Sequence, residues 1–214
     1  MNLRFALLAA LSAKPRTGYD LIAVFDRSVG NVWHAEHPQI YPELRRMESD
    51  GLIVAKEVPR GPNSTKREYR LTDAGLGELR LQASTPVQPG HERDPYRLKA
   101  AYLEYADPKG AQDQFRLHLE HFTKLADHYE HILVTLHEGT DAVLNERLEL
   151  MPPEQHDRIV ASRILSYEGL LARAEMELKW ARKGLKVLDE LAQSELDATD
   201  GVVDLSGADD QGRQ

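Results

Sequence analysis

Apolar residues along the first part of the chain recur at helical spacing, break at a turn, and recur again. Leu3, Leu7, Leu8 and Leu11 lie at i, i+4, i+5 and i+8, which gives the opening segment one apolar face. The turn signal Pro15-Arg16-Thr17-Gly18 separates it from YDLIAVFDRSV, where Leu21, Ile22, Val24 and Phe25 again keep helical spacing. A third helix is predicted within HAEHPQIYPELRRMESDGL, because Pro38 suits a first turn and Gly51 the position just past a helix end. Ile40, Leu44 and Met47 repeat at i, i+4 and i+7 and must face inward. The other side carries Pro38, Tyr41, Pro42, Arg45, Arg46 and Ser49, and is polar and basic. Pro42 is tolerable near the N-terminal end of a helix but would break its centre.

The periodicity then changes. LIVAKEV and REYRLT, separated by the turn-rich PRGPNSTK, read as a β-hairpin with a long tip, and Thr72 with Asp73 caps a further helix over DAGLGELRLQ. Arg60, Lys66, Arg67 and Arg70 make the tip and its edges basic. Three helices followed by a two-stranded hairpin form a winged helix-turn-helix. The basic helix face and the basic hairpin tip are the two surfaces that this arrangement turns toward DNA.

A Pro- and Gly-containing stretch, ASTPVQPGHERDP, reads as a linker. Helical patterns follow over PYRLKAAYLEYA and DQFRLHLEHFTKLADHYEHILVTLHE, with an interruption from Gly139 to Pro153 and a last helix from about Glu154 to Ser194. In that helix Val160, Ile164, Tyr167, Leu171, Ala174, Leu178, Ala181, Leu185, Leu188 and Ala192 follow strict +4, +3 spacing, the mark of coiled-coil packing. The seam can meet the 113–138 helix, a second chain, or both. At 1.5 Å per residue the helix is ~60 Å long, more than a compact domain of this size covers, which points to a homodimer with Ile164, Leu171, Leu178, Leu185 and Leu188 in its interface. The fold class is therefore mainly α. A winged domain (1–84) and a linker (85–94) lead to a helical dimerisation and effector domain (95–194), and a disordered acidic tail (195–214) ends the chain.

Composition narrows the function. With 214 residues, 41% of them hydrophobic, the chain supports a real core, and no apolar run approaches the ~18 residues of a membrane span. The absence of cysteine excludes disulfides, thiolate metal sites and cysteine nucleophiles. The net charge of −8 divides unevenly, with +2 over residues 1–85 and −10 over 86–214, so only the N-terminal part offers a face to phosphate. Arg4, the run Phe5 to Leu11, and Ser12-Ala13 imitate a secretory signal. Cleavage there would leave a chain starting inside a turn between two amphipathic helices. The segment is read instead as helix one, with Leu21 and Phe25 to bury against, and the protein as cytoplasmic.

The residues Gly18-Tyr19, Trp33, Ile40-Tyr41-Pro42-Glu43-Leu44 and Tyr69-Arg70-Leu71-Thr72-Asp73-Ala74-Gly75, with ARAEMELKWARKGLKVLDEL near the C-terminus, resemble the pattern of the PadR family of transcriptional regulators over roughly residues 3–193. Glu36 and Pro38 stand where the family often has a small or hydroxyl residue and Gln or Gly, and Gly61-Pro62-Asn63 replaces a frequent Gly-Arg-Pro in the wing. The resemblance implies a repressor released by a small molecule, phenolic compounds and drugs being effectors within the family.

Within this frame His37, Gln39, Tyr41 and Arg45 are expected to approach base edges in the major groove, where Gln pairs with adenine and Arg with guanine. Arg46, Arg60, Asn63, Lys66 and Arg67 are expected at phosphates or in the wing, setting register without reading sequence. Two recognition helices related by a dimer axis would engage a palindromic operator with half-sites ~34–36 Å apart. Tyr102, Tyr105, Phe122 and Trp180 could line an effector pocket, although such apolar spacing is more often core. Two other readings compete. His118, His121, His128 and His131 share one side of a helix, but their i, i+3 pairs form no strong zinc signature, so no metal is assigned. A coiled-coil scaffold without DNA binding would explain the seam but predicts no basic hairpin. No catalytic residue and no cofactor are assigned.

Overall fold

A computed structural model describes residues 3–27, 37–61, 64–90 and 93–203, excluding the side chains of 26–27, 37, 60–61 and 195–203. In chain order the elements are α1 (Leu3–Leu11), β1 (Arg16–Thr17), α2 (Gly18–Arg27), α3 (His37–Ser49), β2 (Ile53–Gly61), β3 (Ser64–Leu71), α4 (Asp73–Ser84), α5 (Pro95–Ala100), α6 (Pro108–His137), α7 (Ala142–Glu149) and α8 (His156–Val203). Two compact units form: Met1–His91 with Gly139–Ala161, and Glu92–Glu138 with Ser162–Gln214.

In the first unit α1, α2 and α3 surround a core of Leu7, Leu8, Leu11, Leu21, Phe25, Ile40, Leu44 and Met47, closed by Ile53 and Tyr69 from the sheet. Leu7 and Leu8 are fully buried, and each contributes about 1.5–3 kcal/mol relative to exposure. The segment that imitates a signal peptide is thus the centre of the core. Arg4 fastens it: Nε donates to Glu43 Oε1 at 2.8 Å, and Nη1 lies 2.8 Å from Asp50 Oδ2, so α1 is tied to α3 and to the turn directly after it. Gly51, at φ 72°, takes the left-handed turn after α3 and releases the chain into β2.

The hairpin is present and longer than predicted, because the strands continue through Pro59 and Arg60 and leave a shorter tip. Pro59 is tolerated because β2 is an edge strand of the order β1-β3-β2, and a bulge follows between Pro59 and Gly61. The third strand was not legible. Arg16 and Thr17, read as part of a turn, pair antiparallel with Tyr69 and Glu68. A two-residue strand has no period of its own, and only the distant β3 defines it. Residues 139–161, placed by the sequence in the helical domain, group with the first unit. There Asp141 caps α7 through Leu144 N at 2.6 Å, Leu144 is buried, and Lys14 pairs with Glu146. An eight-residue helix carries too little pattern to show which core it joins.

In the second unit α6 and α8 lie side by side. Tyr129 packs with Tyr167 at 6.2 Å between ring centroids, Phe115 with Trp180 at 5.2 Å, and Gln112 reaches Asp189. Tyr167, Ala174, Leu178 and Ala181 are buried within the chain, and at Tyr167 the neighbour is Tyr129 of α6. Ile164, Leu171, Leu185 and Leu188 are half-buried, while Leu165, Met176 and Leu191, off the seam, are exposed. α8 runs to Val203, nine residues into the segment expected as an acidic tail. The predicted helix over PYRLKAAYLEYA is instead α5 followed by a 3-10 turn at Leu103–Tyr105.

Candidate nucleic-acid interface

α3 presents two chemically opposite faces. Ile40, Leu44 and Met47 are fully buried, and on the other side Gln39, Tyr41, Arg45 and Arg46 are exposed. Three anchored side chains at i, i+4 and i+7 fix the rotation of the helix, so the polar face is held on a rigid base. Pro42 sits in the second turn, where it removes one helical bond to the carbonyl of Pro38.

The N-terminus of α2 lies against this helix. Thr17 and Asp20 form a reciprocal cap: Asp20 Oδ2 accepts from Thr17 N at 2.9 Å and from Thr17 Oγ1 at 2.7 Å, and Thr17 Oγ1 accepts from Asp20 N at 3.2 Å. Burial pushes the Asp20 pKa up, but the Thr17 hydrogen bonds, with the charges of Lys66 and Arg16, outweigh it and hold the carboxyl below its ordinary value. Gly18 follows at the first helical position. A Cβ there would fall 2.5 Å from Tyr41 Cε1 and 2.9 Å from both Cζ and Oη, so the Tyr41 ring rests on bare backbone. Tyr41 remains 44% exposed beside this contact, and neighbouring Tyr19 is 76% exposed. Tyr19 is absent from the sequence-derived site. The signal that could have found it is its place directly after Gly18, at the start of an amphipathic helix.

The basic residues divide into engaged and available cations. Arg67 lies on the side of the hairpin facing α3, where Nη2 donates to Glu48 Oε1 at 2.7 Å and Oε2 at 2.9 Å, with the guanidinium 5.6 Å from the centre of the Tyr69 ring. It braces β3 against α3. Arg46 reaches Glu43 only at 3.4 Å and is largely exposed. Arg45 and Lys66 are exposed and form no salt bridge among the described residues. His37 begins α3 and Arg60 lies in β2, but their side chains, and Asn63 altogether, fall outside the described residues, as do Trp33 and Glu36.

The strand-to-helix join is equally specific. Thr72 Oγ1 accepts from Gly75 N at 3.0 Å and lies 2.8 Å from Gly51 O and 2.9 Å from Leu52 O, which locks the start of α4 to the start of β2. A Cβ on Gly75 would sit 2.0 Å from Leu52 O, which accounts for the glycine. The four histidines that the sequence sets on one side of α6 are not gathered: His118 is buried, whereas His121, His128 and His131 are exposed. Among the described residues no group of three His, Asp or Glu side chains comes together as a metal site would require. No helix among them is long and apolar enough to cross a membrane.

Residues 7–81 match the model of the transcriptional regulator PadR-like family. The negative transcriptional regulator PadR of Bacillus subtilis is 33% identical over 120 residues, covering 55% of this chain and 65% of that protein. A probable transcriptional regulator of Mycobacterium tuberculosis is 37% identical over 89 residues, covering 42% and 47%. The matched segments thus span less than two thirds of either curated relative. Among solved structures, Bacillus subtilis PadR in complex with operator DNA superposes with a TM-score of 0.67 at 24% identity, over 87% of this chain and 97% of that one. The same protein in complex with p-coumaric acid gives 0.58 at 26%, over 87% and 98%. The Vibrio cholerae virulence activator AphA gives 0.63 at 24%, over 89% and 99%. Residues 7–81 thus carry a PadR-like sequence match, and the three-stranded winged unit and long C-terminal helices share the fold of the Bacillus subtilis PadR structure.

Proposed function

We propose that this chain is a sequence-specific DNA-binding repressor, homodimeric and cytoplasmic, that is released from its operator by a small aromatic effector. The observation that carries the reading is α3, whose apolar back is fully buried while Gln39, Tyr41 and Arg45 stand on the exposed front. Lys66 and the wing add phosphate contacts beside it, which raise affinity without reading sequence. That a relative is solved with operator DNA and with p-coumaric acid supports both halves of the proposal. The half-buried seam residues Ile164, Leu171, Leu185 and Leu188, together with exposed Leu165, Met176 and Leu191, leave α8 with apolar surface for a second copy. Leu178 contributes from within the chain, as a support for that surface.

Selection of bound duplexes from a random library by the purified full-length protein, at near-physiological salt, tests the reading. Enrichment of a palindrome with half-sites about one helical turn apart is the expected result. Binding without enrichment that vanishes as salt rises would reduce the interface to nonspecific electrostatics and favour a helical scaffold.

A further inference from the structure

The second unit contains a cation cage filled by the chain's own arginine. Glu177 on α8 is buried, its side chain only 6% exposed, yet it bonds two groups. Arg97 Nη1 of α5 lies 2.8 Å from Oε1 and 2.7 Å from Oε2, and His118 Nε2 of α6 lies 2.9 Å from Oε2. The Arg97 guanidinium stacks 4.4 Å from the centre of the Trp180 ring. Tyr96, Phe122 and Trp180 surround the His118 imidazole at 4.6, 4.5 and 5.0 Å.

Burial pushes the Glu177 pKa up, but hydrogen bonds from Arg97 and His118 overcome it and hold the carboxyl below its ordinary value, so Glu177 is a carboxylate that balances the charge of Arg97. In neutral His118 the nitrogen facing the carboxylate is the donor, and the lone pair is on Nδ1. That atom is buried and has no hydrogen-bond partner. One short helix covers both groups: α5 has six residues, and it supplies Tyr96 to His118 and Arg97 to Glu177. The Arg97 side chain is 33% exposed, so this wall of the cage borders solvent.

An indole face beside a buried carboxylate recognises flat, weakly hydrated cations, and it repels anions. The geometry points to a binding site for a planar organic cation, an amidinium or guanidinium carrying an aromatic ring, which takes the place of Arg97 against Trp180 and Glu177. Displacing Arg97 frees the Glu177 carboxylate and the Trp180 face that it occupies. The inference goes beyond the effector reading above, since it names a ligand opposite in charge to the phenolic acid bound by the Bacillus subtilis relative, and it rests on that reading only for the consequence at DNA.

Benzamidine is the probe, titrated into the full-length Trp33→Phe protein so that Trp180 is the single indole of the chain's two. Saturable quenching of Trp180 fluorescence is expected. Arg97→Ala, which removes the resident cation, tightens benzamidine at least tenfold, and Glu177→Gln weakens it at least tenfold. Benzamide and benzoate neither quench nor compete. Failure of benzamidine to bind both the Arg97-containing protein and Arg97→Ala overturns the site, whatever happens to the folding of Glu177→Gln; so does benzoate binding as well as benzamidine. Operator affinity is measured in parallel. Benzamidine that saturates the cage without changing operator affinity upholds the site and sinks its link to DNA release. Operator release by a different compound that leaves Trp180 silent, with no benzamidine binding, sinks the site and upholds the effector reading.

Discussion

Gly18 has an ordinary negative φ, so its identity follows from what touches it rather than from backbone freedom. Gly18→Ala places a methyl 2.5 Å from Tyr41 Cε1, about 0.9 Å inside the 3.4 Å at which ordinary contact begins. Because Tyr41 is 44% exposed, the ring can swing outward instead of unfolding the unit. An off-rotamer tyrosine costs about 0.5–1.5 kcal/mol, and replacing glycine returns roughly 0.4–1 kcal/mol of chain entropy, so Tm should hardly move. In the proposed complex the same shift stretches a hydrogen bond from the Tyr41 hydroxyl to a base edge from ~2.8 Å to ~3.7 Å, beyond bonding distance. Losing a neutral hydrogen bond costs up to about 1.5 kcal/mol, or as much as roughly tenfold in operator affinity for each protomer. Fluorescence anisotropy on the selected operator, run as a double-mutant cycle, isolates the term. Gly18→Ala should weaken operator binding by the dimer up to about a hundredfold with Tyr41 present and have no effect in a Tyr41→Ala background, where no ring remains to be displaced. An equal loss in both backgrounds would refute the argument, since Gly18 would then act without Tyr41.

The remaining predictions concern cations, the strand-to-helix join and pH. Lys66→Ala should weaken all DNA sequences alike and reduce the salt slope by about one, whereas Arg45→Ala should relax preference at one base position by about 1–3 kcal/mol; uniform losses from both would reverse those roles. Gly75→Ala drives a Cβ into a backbone carbonyl and should cost about 2–4 kcal/mol in urea denaturation, while Gly77→Ala, with open space around it, should gain up to about 1 kcal/mol; similar outcomes would remove the steric account. Glu177 has a folded pKa below the ordinary value of 4.5, so it binds fewer protons in the folded state than in the unfolded one. Its stabilisation is complete above that value and is lost as pH falls through the folded pKa, and Glu177→Gln should flatten the acid limb of the stability curve; an unchanged limb would show that Glu177 is not the group responsible.

Much of this protein was settled by local pattern. The period of Ile40, Leu44 and Met47 determined which side of α3 is buried, because three anchors on one stripe leave a helix a single way to face its core. The apolar stripe of Leu7, Leu8 and Leu11 marked α1 as structural, and the Thr72-to-Gly75 stretch marked the join to α4. What the pattern left open is whatever two distant segments decide jointly. Strand β1 exists only because β3 pairs with it, and Arg67 changes from an available cation to a brace because Glu48, nineteen residues earlier, lies within 2.7 Å. Gly18 becomes a positioning residue through Tyr41. The heptad seam of α8 named an apolar face but not its occupant, and Tyr129 of α6 takes part of it inside the chain, at Tyr167. Arg97, His118 and Glu177 are far apart in sequence and carry no motif, so only the packing of α5, α6 and α8 brings a guanidinium, an imidazole and a carboxylate together. Periodicity reports how each segment divides between water and core, which is a local property. Electrostatic and steric partners depend on which segments meet, and only the tertiary fold decides that.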